Sequence, residues 1–303
     1  MEFDVPKIKA ALASFVALLS LTALAAPVTG ADGVVVDVEN PDRVVALNSS
    51  VLEVMYELGL EERVVGTDNS GLYPENDLPK VGHPYNYGVE GVISLSPDLV
   101  ISAQENMKPE TAAQLRDAGI PVLVLSHSGE GGMEALYTRI GQIATVFEVE
   151  DRGEELVNRI RSDLDALQSE LTQIPEDERL EVMFIYSHSL GDSTIYGGED
   201  TGPGVLIELA GADDAADFID GAHVTISSEA LVTANPDVII MMQRGLDAIG
   251  GVSGYLQLPG VSLTTAGHNE AIYTVDDSVR WIGPRFPQFA AQLARDLYGI
   301  EVP

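Results

Sequence analysis

Apolar and polar residues follow one arrangement twice along the chain. Residues 90–101 read EGVISLSPDLVI and residues 229–240 read EALVTANPDVII. Each copy opens on a Glu, runs through a short apolar stretch with helical spacing, meets Pro-Asp and enters an unbroken β-branched and aliphatic run. Glu90 stands as far before Asp98 as Glu229 stands before Asp237. A helix that stops at a proline and hands over to a buried strand is an αβ unit. One such unit in each half predicts two similar lobes, and facing lobes enclose a ligand site.

The remaining pattern fits this plan. In the first half, strands are predicted over Arg43–Leu47, Arg63–Thr67 and Val122–Ser126, with the first repeat's strand ending at Ser102. Helices are predicted from Ser49 or Ser50 to Leu58, over Pro109–Ala118 and over Met133–Phe147. Ser49 or Ser50 supplies the first N-cap and Gly59 the stop. A polar loop rich in Gly, Pro and Asn fills Asp68 to Pro84. The clearest helix is Asp151–Gln173, where Leu156, Ile160, Leu164, Leu167 and Leu171 fall on one face. In the second half, strands are predicted over Leu180–Tyr186, through the second repeat to Met242, and over Ile272–Val275. Helices are predicted over Pro203–Ala210 and Pro287–Tyr298. Strands alternating with helices imply parallel sheets. The fold class is therefore α/β: two Rossmann-like lobes with parallel sheets, joined by a long bridging helix, with a ligand cleft between them. The expected partition is a leader over 1–30, an N-terminal lobe over 31–150, the bridge over 151–174 and a C-terminal lobe over 175–303.

Composition narrows the partners. The 303 residues have room for about two domains at roughly 150 residues each, and 45% hydrophobic content suffices for ordinary cores. The formal net charge is −32, and beyond Gly30 the only lysines are Lys80 and Lys108. Acid spread over turns and helix faces suits solubility in concentrated salt, where screening suppresses self-repulsion. It also argues against nucleic acid as a partner, because phosphate needs a basic face. The chain has no cysteine. That removes disulfides, thiolate metal sites, cysteine nucleophiles and a lipid-modified cysteine from consideration. Lys7 and Lys9 precede an apolar run from Ala10 to Ala26, and Ala23-Leu24-Ala25 offers a small-x-small cleavage site. This is the pattern of a secretory signal, with an uncleaved anchor as the alternative. Either places the working protein outside the cytoplasm.

Ligands of open parallel sheets bind beyond the carboxyl ends of the strands. That rule selects Tyr73 in the loop after Arg63–Thr67, His127 after Val122–Leu125, and Ser187 and His188 after Leu180–Tyr186. It also selects Arg244 after Met242, and Asp276, Asp277, Arg280 and Trp281 after Val275. Plainer readings stand beside these: Tyr73 as a packing lid, His127 as a cap and Arg244 as a structural ion pair. His83, His223 and His268 are unassigned. No GxSxG elbow, P-loop or HExxH motif is present. An enzyme reading, a secreted metal-dependent hydrolase, would need histidines and carboxylates to converge in space.

With the leader, the two lobes, the bridging helix and the paired Glu…Pro-Asp phrases assembled, the chain from Arg43 to Tyr298 resembles a known family. These are the solute-binding proteins of ABC importers with a rigid helical backbone, which take up cobalamin, ferric siderophores and haem. Two stretches resemble the haem-binding branch. One is Gly66 to Leu95, GTDNSGLYPENDLPKVGHPYNYGVEGVISL, where that branch carries its axial tyrosine just before a proline. The other is Gln243 to Gly267, QRGLDAIGGVSGYLQLPGVSLTTAG; Trp281 to Pro287, WIGPRFP, fits the same branch. The resemblance implies ferric haem as the transported ligand, with cobalamin or a ferric siderophore as the alternative within the family, and no catalytic cofactor. Tyr73 becomes the iron ligand, Arg244 its support from the opposite lobe, and His188 a second ligand or cleft contact. Arg244, Arg280 and backbone N–H groups become the candidates for the two propionates. Glu90 and Glu229 become the docking acids, one per lobe, for the permease that works with its ATPase. The chemistry is coherent: ferric iron is hard and prefers an anionic oxygen, and a guanidinium favours such an oxygen without losing its own charge. The missing lipid-anchor cysteine and the heavy acid load depart from the family pattern.

Overall fold

A computed structural model describes residues 26–300, apart from 39, 190–191, 197–200 and 219–221. The side chains of residues 188–189, 192–196 and 222–223 are also outside the described set. The N-terminal lobe opens with a short antiparallel ribbon, β1 (Val28–Thr29) and β2 (Val35–Val36). Then follow β3 (Val44–Leu47), α1 (Ser49–Glu57), β4 (Val64–Thr67) and a second small ribbon, β5 (Gly82–His83) with β6 (Asn86–Tyr87). The lobe continues with α2 (Val89–Ser94), β7 (Leu99–Ala103), α3 (Pro109–Asp117), β8 (Val122–Leu125) and α4 (Gly132–Val146). The sheet is parallel in the order β4-β3-β7-β8. The first ribbon begins inside the stretch assigned to the leader. Ala31 N–H donates to Val124 O and Gln142 Nε2 donates to Thr29 O, so this ribbon packs on the lobe.

α5 (Glu150–Leu171) leads to the second lobe. That lobe contains β9 (Glu181–Ser189), β10 (Asp192–Tyr196), α6 (Gly202–Leu209), the short β11 (Asp213–Asp214), β12 (Ala222–Thr225), α7 (Ser228–Ala234) and β13 (Val238–Met242). It ends with α8 (Gln243–Ala248), α9 (Gly251–Tyr255), α10 (Thr265–His268), β14 (Ile272–Val275) and α11 (Phe286–Tyr298). Here the sheet order is β12-β10-β9-β13-β14. β9, β13 and β14 are parallel, but β10 runs antiparallel to both β9 and β12. The parallel strands expected from the sequence form the core of this sheet, and β10 adds an antiparallel member that the sequence did not show. β9 also runs on to Ser189, so Ser187 and His188 lie within the strand and not beyond its end.

The twofold repeat has a structural cause. In each lobe its Asp reaches the start of the neighbouring central strand. Asp98 Oδ2 accepts from Asp42 N and Arg43 N, both at 3.1 Å. Asp237 Oδ2 accepts from Glu181 N, also at 3.1 Å. The residue before each proline, Ser96 or Asn235, has a positive φ. Each unit thus turns through a left-handed residue, and its aspartate ties the turn to the adjacent strand.

α5 touches the first lobe at its start and the second at its end. Arg152 Nη1 donates to Leu58 O, and Gln168 Nε2 donates to Leu209 O. Its predicted apolar face is buried as expected. That face joins one continuous apolar cluster holding Val44, Leu99 and Leu123 of the first sheet and Val182, Phe184 and Ile240 of the second. Phe286 and Leu293 of α11 belong to it too. Alternate strand residues face the other way into one smaller cluster per lobe, such as Val45 and Val100 in the first and Met183 and Ile239 in the second. At Gly153 the bridge approaches α4 so closely that an added Cβ would lie 2.8 Å from Ala144 Cβ. Gly141, exposed on α4, has nothing within 4 Å of that position. Gly153→Val should therefore lower stability by about 1–3 kcal/mol through overpacking. Gly141→Ala should raise it by roughly 0.4–1 kcal/mol through the unfolded chain's entropy. Urea unfolding midpoints check both signs.

Candidate functional site

The carboxyl ends of the strands meet across a cleft of about 590 Å³ between the lobes. Its apolar lining includes Leu72, Tyr73, Pro84, Tyr186, Val275 and Trp281. Its charged lining is balanced: Arg244, Arg280 and Arg285 against Asp247, Asp276 and Asp277. In a chain of net charge −32, this is a place where acid is not in excess.

Tyr73 sits in the 68–80 loop, which is tightly tied. Asp68 is fully buried and accepts from Asn48 N at 2.7 Å and Ser70 N at 2.7 Å. Asn76 Nδ2 donates to Pro74 O, and Lys80 Nζ donates to Gly71 O. Only glycine fits at position 71, since a Cβ there would lie 2.4 Å from Thr67 Oγ1. The Tyr73–Pro74 peptide is cis, and Tyr73 is 42% exposed toward the cleft it lines.

The floor of the cleft is the segment from Asp276 to Phe286, which leaves β14 and crosses to the first lobe. Ile282 is its anchor. Its carbonyl accepts from Ser50 Oγ at 2.7 Å and from Arg139 Nη2 at 3.0 Å, while its N–H donates to Ser128 O. Gly283 packs against Glu53, where a Cβ would lie 2.9 Å from Oε2. Arg285 follows. Its Nη2 donates to Glu53 Oε1 at 2.8 Å and to Ser278 Oγ at 2.7 Å, and its Nη1 lies 3.5 Å from Asp276 Oδ2. The Arg285 guanidinium carbon is 3.6 Å from the centre of the Tyr73 ring. Burial pushes Glu53 up to about 7, against the pull of Arg285. The neighbouring carboxylates Asp276 and Glu57 add to the rise.

The structure thus brings Tyr73, Arg244, Asp276, Asp277, Arg280 and Trp281 into one cleft, as the strand-end rule anticipates. It rearranges their partners. Arg244, expected beside Tyr73, has its Nε 3.1 Å from Asp277 Oδ2. The cation stacked on Tyr73 is Arg285, which sequence reasoning missed. Arg285 lies ten residues beyond the last residue of β14, outside any strand-end window. Burial raises Asp277 above the ordinary aspartate value, and Arg244 draws it back. Arg280 reaches Tyr85 OH of the first lobe at 3.1 Å and Tyr186 OH of the second at 3.4 Å. His127 is not in the cleft lining; its Nδ1 accepts from Gly129 N, which is the plainer cap-like reading. His83, unassigned from sequence, does line the cleft. The side chain of His188 lies outside the described residues. Glu90 and Glu229 are both exposed in the first turns of α2 and α7, away from the cleft lining. Among the described residues, no group of three or more His, Asp or Glu side chains is placed to hold a metal ion. No helix among them is long and apolar enough to cross a membrane.

Two facing lobes, a helical bridge and a cleft at the strand ends define a ligand-capturing protein. The chain belongs to the periplasmic binding protein family, which it matches over residues 44–279. It is 33% identical over 266 residues to an uncharacterized ABC transporter substrate-binding lipoprotein of Bacillus subtilis, covering 86% of this chain and 81% of that one. It is 31% identical over 216 residues to a cobalamin-binding protein of Halobacterium salinarum, covering 66% of this chain and only 53% of that relative. Among solved structures, the periplasmic haem-binding protein of Roseiflexus sp. RS-1 in apo form superposes with a TM-score of 0.79 at 31% identity. That match covers 85% of this chain and 98% of the other. The protein is accordingly a solute-binding protein of an ABC importer.

The Glu53–Arg285 pair gives the site a pH signature. An ordinary glutamate titrates at 4.5, and Glu53 in the folded protein at about 7. The folded state therefore holds this proton more tightly than the unfolded chain. The stability it contributes is fully present below about 4.5 and is lost as pH rises through 7. Relative to Glu53→Gln, the parent should lose up to about 3 kcal/mol over that window. Chemical denaturation of both proteins across it measures the difference; a flat difference contradicts the assignment.

Proposed function

We propose that this protein captures ferric haem outside the cytoplasm and delivers it to the permease of an ABC importer. The observation that carries the reading is Tyr73, presented at a cleft between the lobes with a guanidinium stacked on its ring. Tyrosinate suits ferric iron as a hard anionic ligand. Leu72, Pro84, Tyr186, Val275 and Trp281 supply the apolar and aromatic surface that a flat macrocycle needs. Arg244 and Arg280 are the proposed contacts for its carboxylates, and His188 a proposed second ligand or cleft contact. The haem-binding solved structure supports the reading at the level of the whole fold. Cobalamin is the second reading, favoured by the Halobacterium relative; it would not require Tyr73 as a ligand. The N-terminal segment is proposed as a signal or anchor. The Bacillus relative is named a lipoprotein, but these 303 residues hold no cysteine to carry a lipid.

Glu90 and Glu229 are proposed as the docking acids. Exposed single carboxylates add little to stability, while facing arginines on a permease they set orientation and encounter rate. The two repeats place them equivalently, one per lobe.

The test is an absorbance titration of the protein with haemin in high salt, with cobalamin as control. The parent should show tyrosinate charge-transfer absorption. Tyr73→Phe should lose that band and weaken haemin binding, and Arg244→Ala should weaken it less. A Tyr73→Phe spectrum and affinity equal to the parent's would remove Tyr73 as the ligand. A response to cobalamin alone would favour the second reading. The Glu90→Ala/Glu229→Ala double variant should bind haemin normally yet fail to stimulate importer ATPase in vesicles. Loss of haemin binding in that variant would place these acids in the binding site.

A further inference from the structure

Tyr73 belongs to a loop of the first lobe, yet the group covering its ring comes from the segment that leads into α11. Arg285 is itself held on both sides. Glu53, on α1, takes Nη2, while Asp276, just after β14, faces Nη1. Ser278 Oγ accepts a further bond, and the Phe289 ring lies 4.7 Å from the guanidinium carbon. A guanidinium is planar, and anchors at two nitrogens fix its plane. The Tyr73 ring is 42% exposed, and among the described residues its side chain has no hydrogen bond or ion pair to match. Cation and ring attract face to face, so the softer partner adopts the plane of the harder one.

We propose that Arg285 is a positioning residue for Tyr73: it sets the plane of the phenol ring at the cleft wall, and its carboxylate anchors make that plane depend on the register of the two lobes. Arg285 gives Nη2 to Glu53 and Ser278 and keeps Asp276 beside Nη1, while its Nε is buried without a hydrogen-bond partner among the described residues. With both terminal nitrogens so engaged, it acts through Tyr73. The consequence for haem rests on Tyr73 being the iron ligand; the placement of the ring does not.

The experiment therefore has a ligand-free arm. The full chain is labelled with 3-fluorotyrosine and observed by ¹⁹F NMR, and Tyr73→Phe assigns one of the resonances of its ten tyrosines. The Glu53→Gln/Arg285→Gln double variant removes the cation without leaving a buried unpaired charge. The Tyr73 resonance should move and narrow in that variant, with the other nine in place. Haemin should still raise the charge-transfer band, but its dissociation should speed up by about tenfold. If other resonances move as well, Arg285→Lys is read by the same criterion, since it keeps a cation beside Glu53 but offers no planar face. A Tyr73 resonance at the parent position, with haemin dissociation within about twofold of the parent's, overturns the proposal. A moved resonance alongside a haemin spectrum indifferent to Tyr73→Phe would sustain the positioning role and defeat only the haem reading.

Discussion

The buried ion pair between Glu53 and Arg285 is the contact on which the geometry of the cleft depends. It joins α1 of the first lobe to the chain that closes the second. Burying two charges is costly, and their attraction repays the cost only where geometry is good and remaining polar atoms are satisfied. Here Ser278 and Asp276 add partners at Nη2 and Nη1, while Nε of Arg285 is buried without a hydrogen-bond partner among the described residues. Removing Glu53 alone would leave the Arg285 guanidinium buried without its closest carboxylate, at a cost of about 3–5 kcal/mol, whereas removing Arg285 alone would leave a carboxyl that burial drives toward its neutral form. Two residues before Arg285, Gly283 lets the backbone pass against Glu53, and Ile282 locks the same segment to Ser50, Ser128 and Arg139. A floor tied at these points links the wall bearing Tyr73 to the wall bearing Arg244.

Around this tie the two lobes solve one problem with the same local device. A short helix ends in a left-handed residue, Pro-Asp follows, and the aspartate secures the head of the neighbouring strand. The cores then merge through α5 and α11, so the lobes share apolar packing as well as polar contacts. This is unlike a pair of bodies joined by flexible strands.

Much of the framework was legible from periodicity. The face of α5, the strands β3, β4, β8 and β14, and the two αβ units appear in the sequence as local patterns, because each is fixed by which of its own residues are buried. The antiparallel β10 and β12 were not legible. Their pairing is set by contacts distant in sequence, and the stretch from Ser187 to Thr225 mixes Gly, Asp and His without clean alternation. The first helix's cap was misplaced by a residue or two: Asn48 accepts from Ser50 N, where Ser49 or Ser50 was expected. In the cleft, Tyr73, Arg244, Arg280 and Trp281 followed from their positions after strands. Arg285 and Glu53 did not. An arginine ahead of a helix and a glutamate within one look like ordinary surface residues until folding brings them together and buries both. The Gly-Pro-Arg-Phe-Pro run was a signal of a constrained turn, but nothing in it names Glu53 as a partner.

A preformed cleft implies that the lobes move little when ligand arrives. α5 has no proline in its interior, and bending it would break consecutive backbone hydrogen bonds. Selectivity would then come from a largely fixed pocket, with adjustment confined to side chains and loops. Small-angle scattering of the protein with and without haemin tests this most directly. The radius of gyration should stay the same within error on saturation. A large drop on haemin binding would show that the lobes close like a strand-hinged clamp and would contradict the tie through Glu53, Arg285 and the bridging helix.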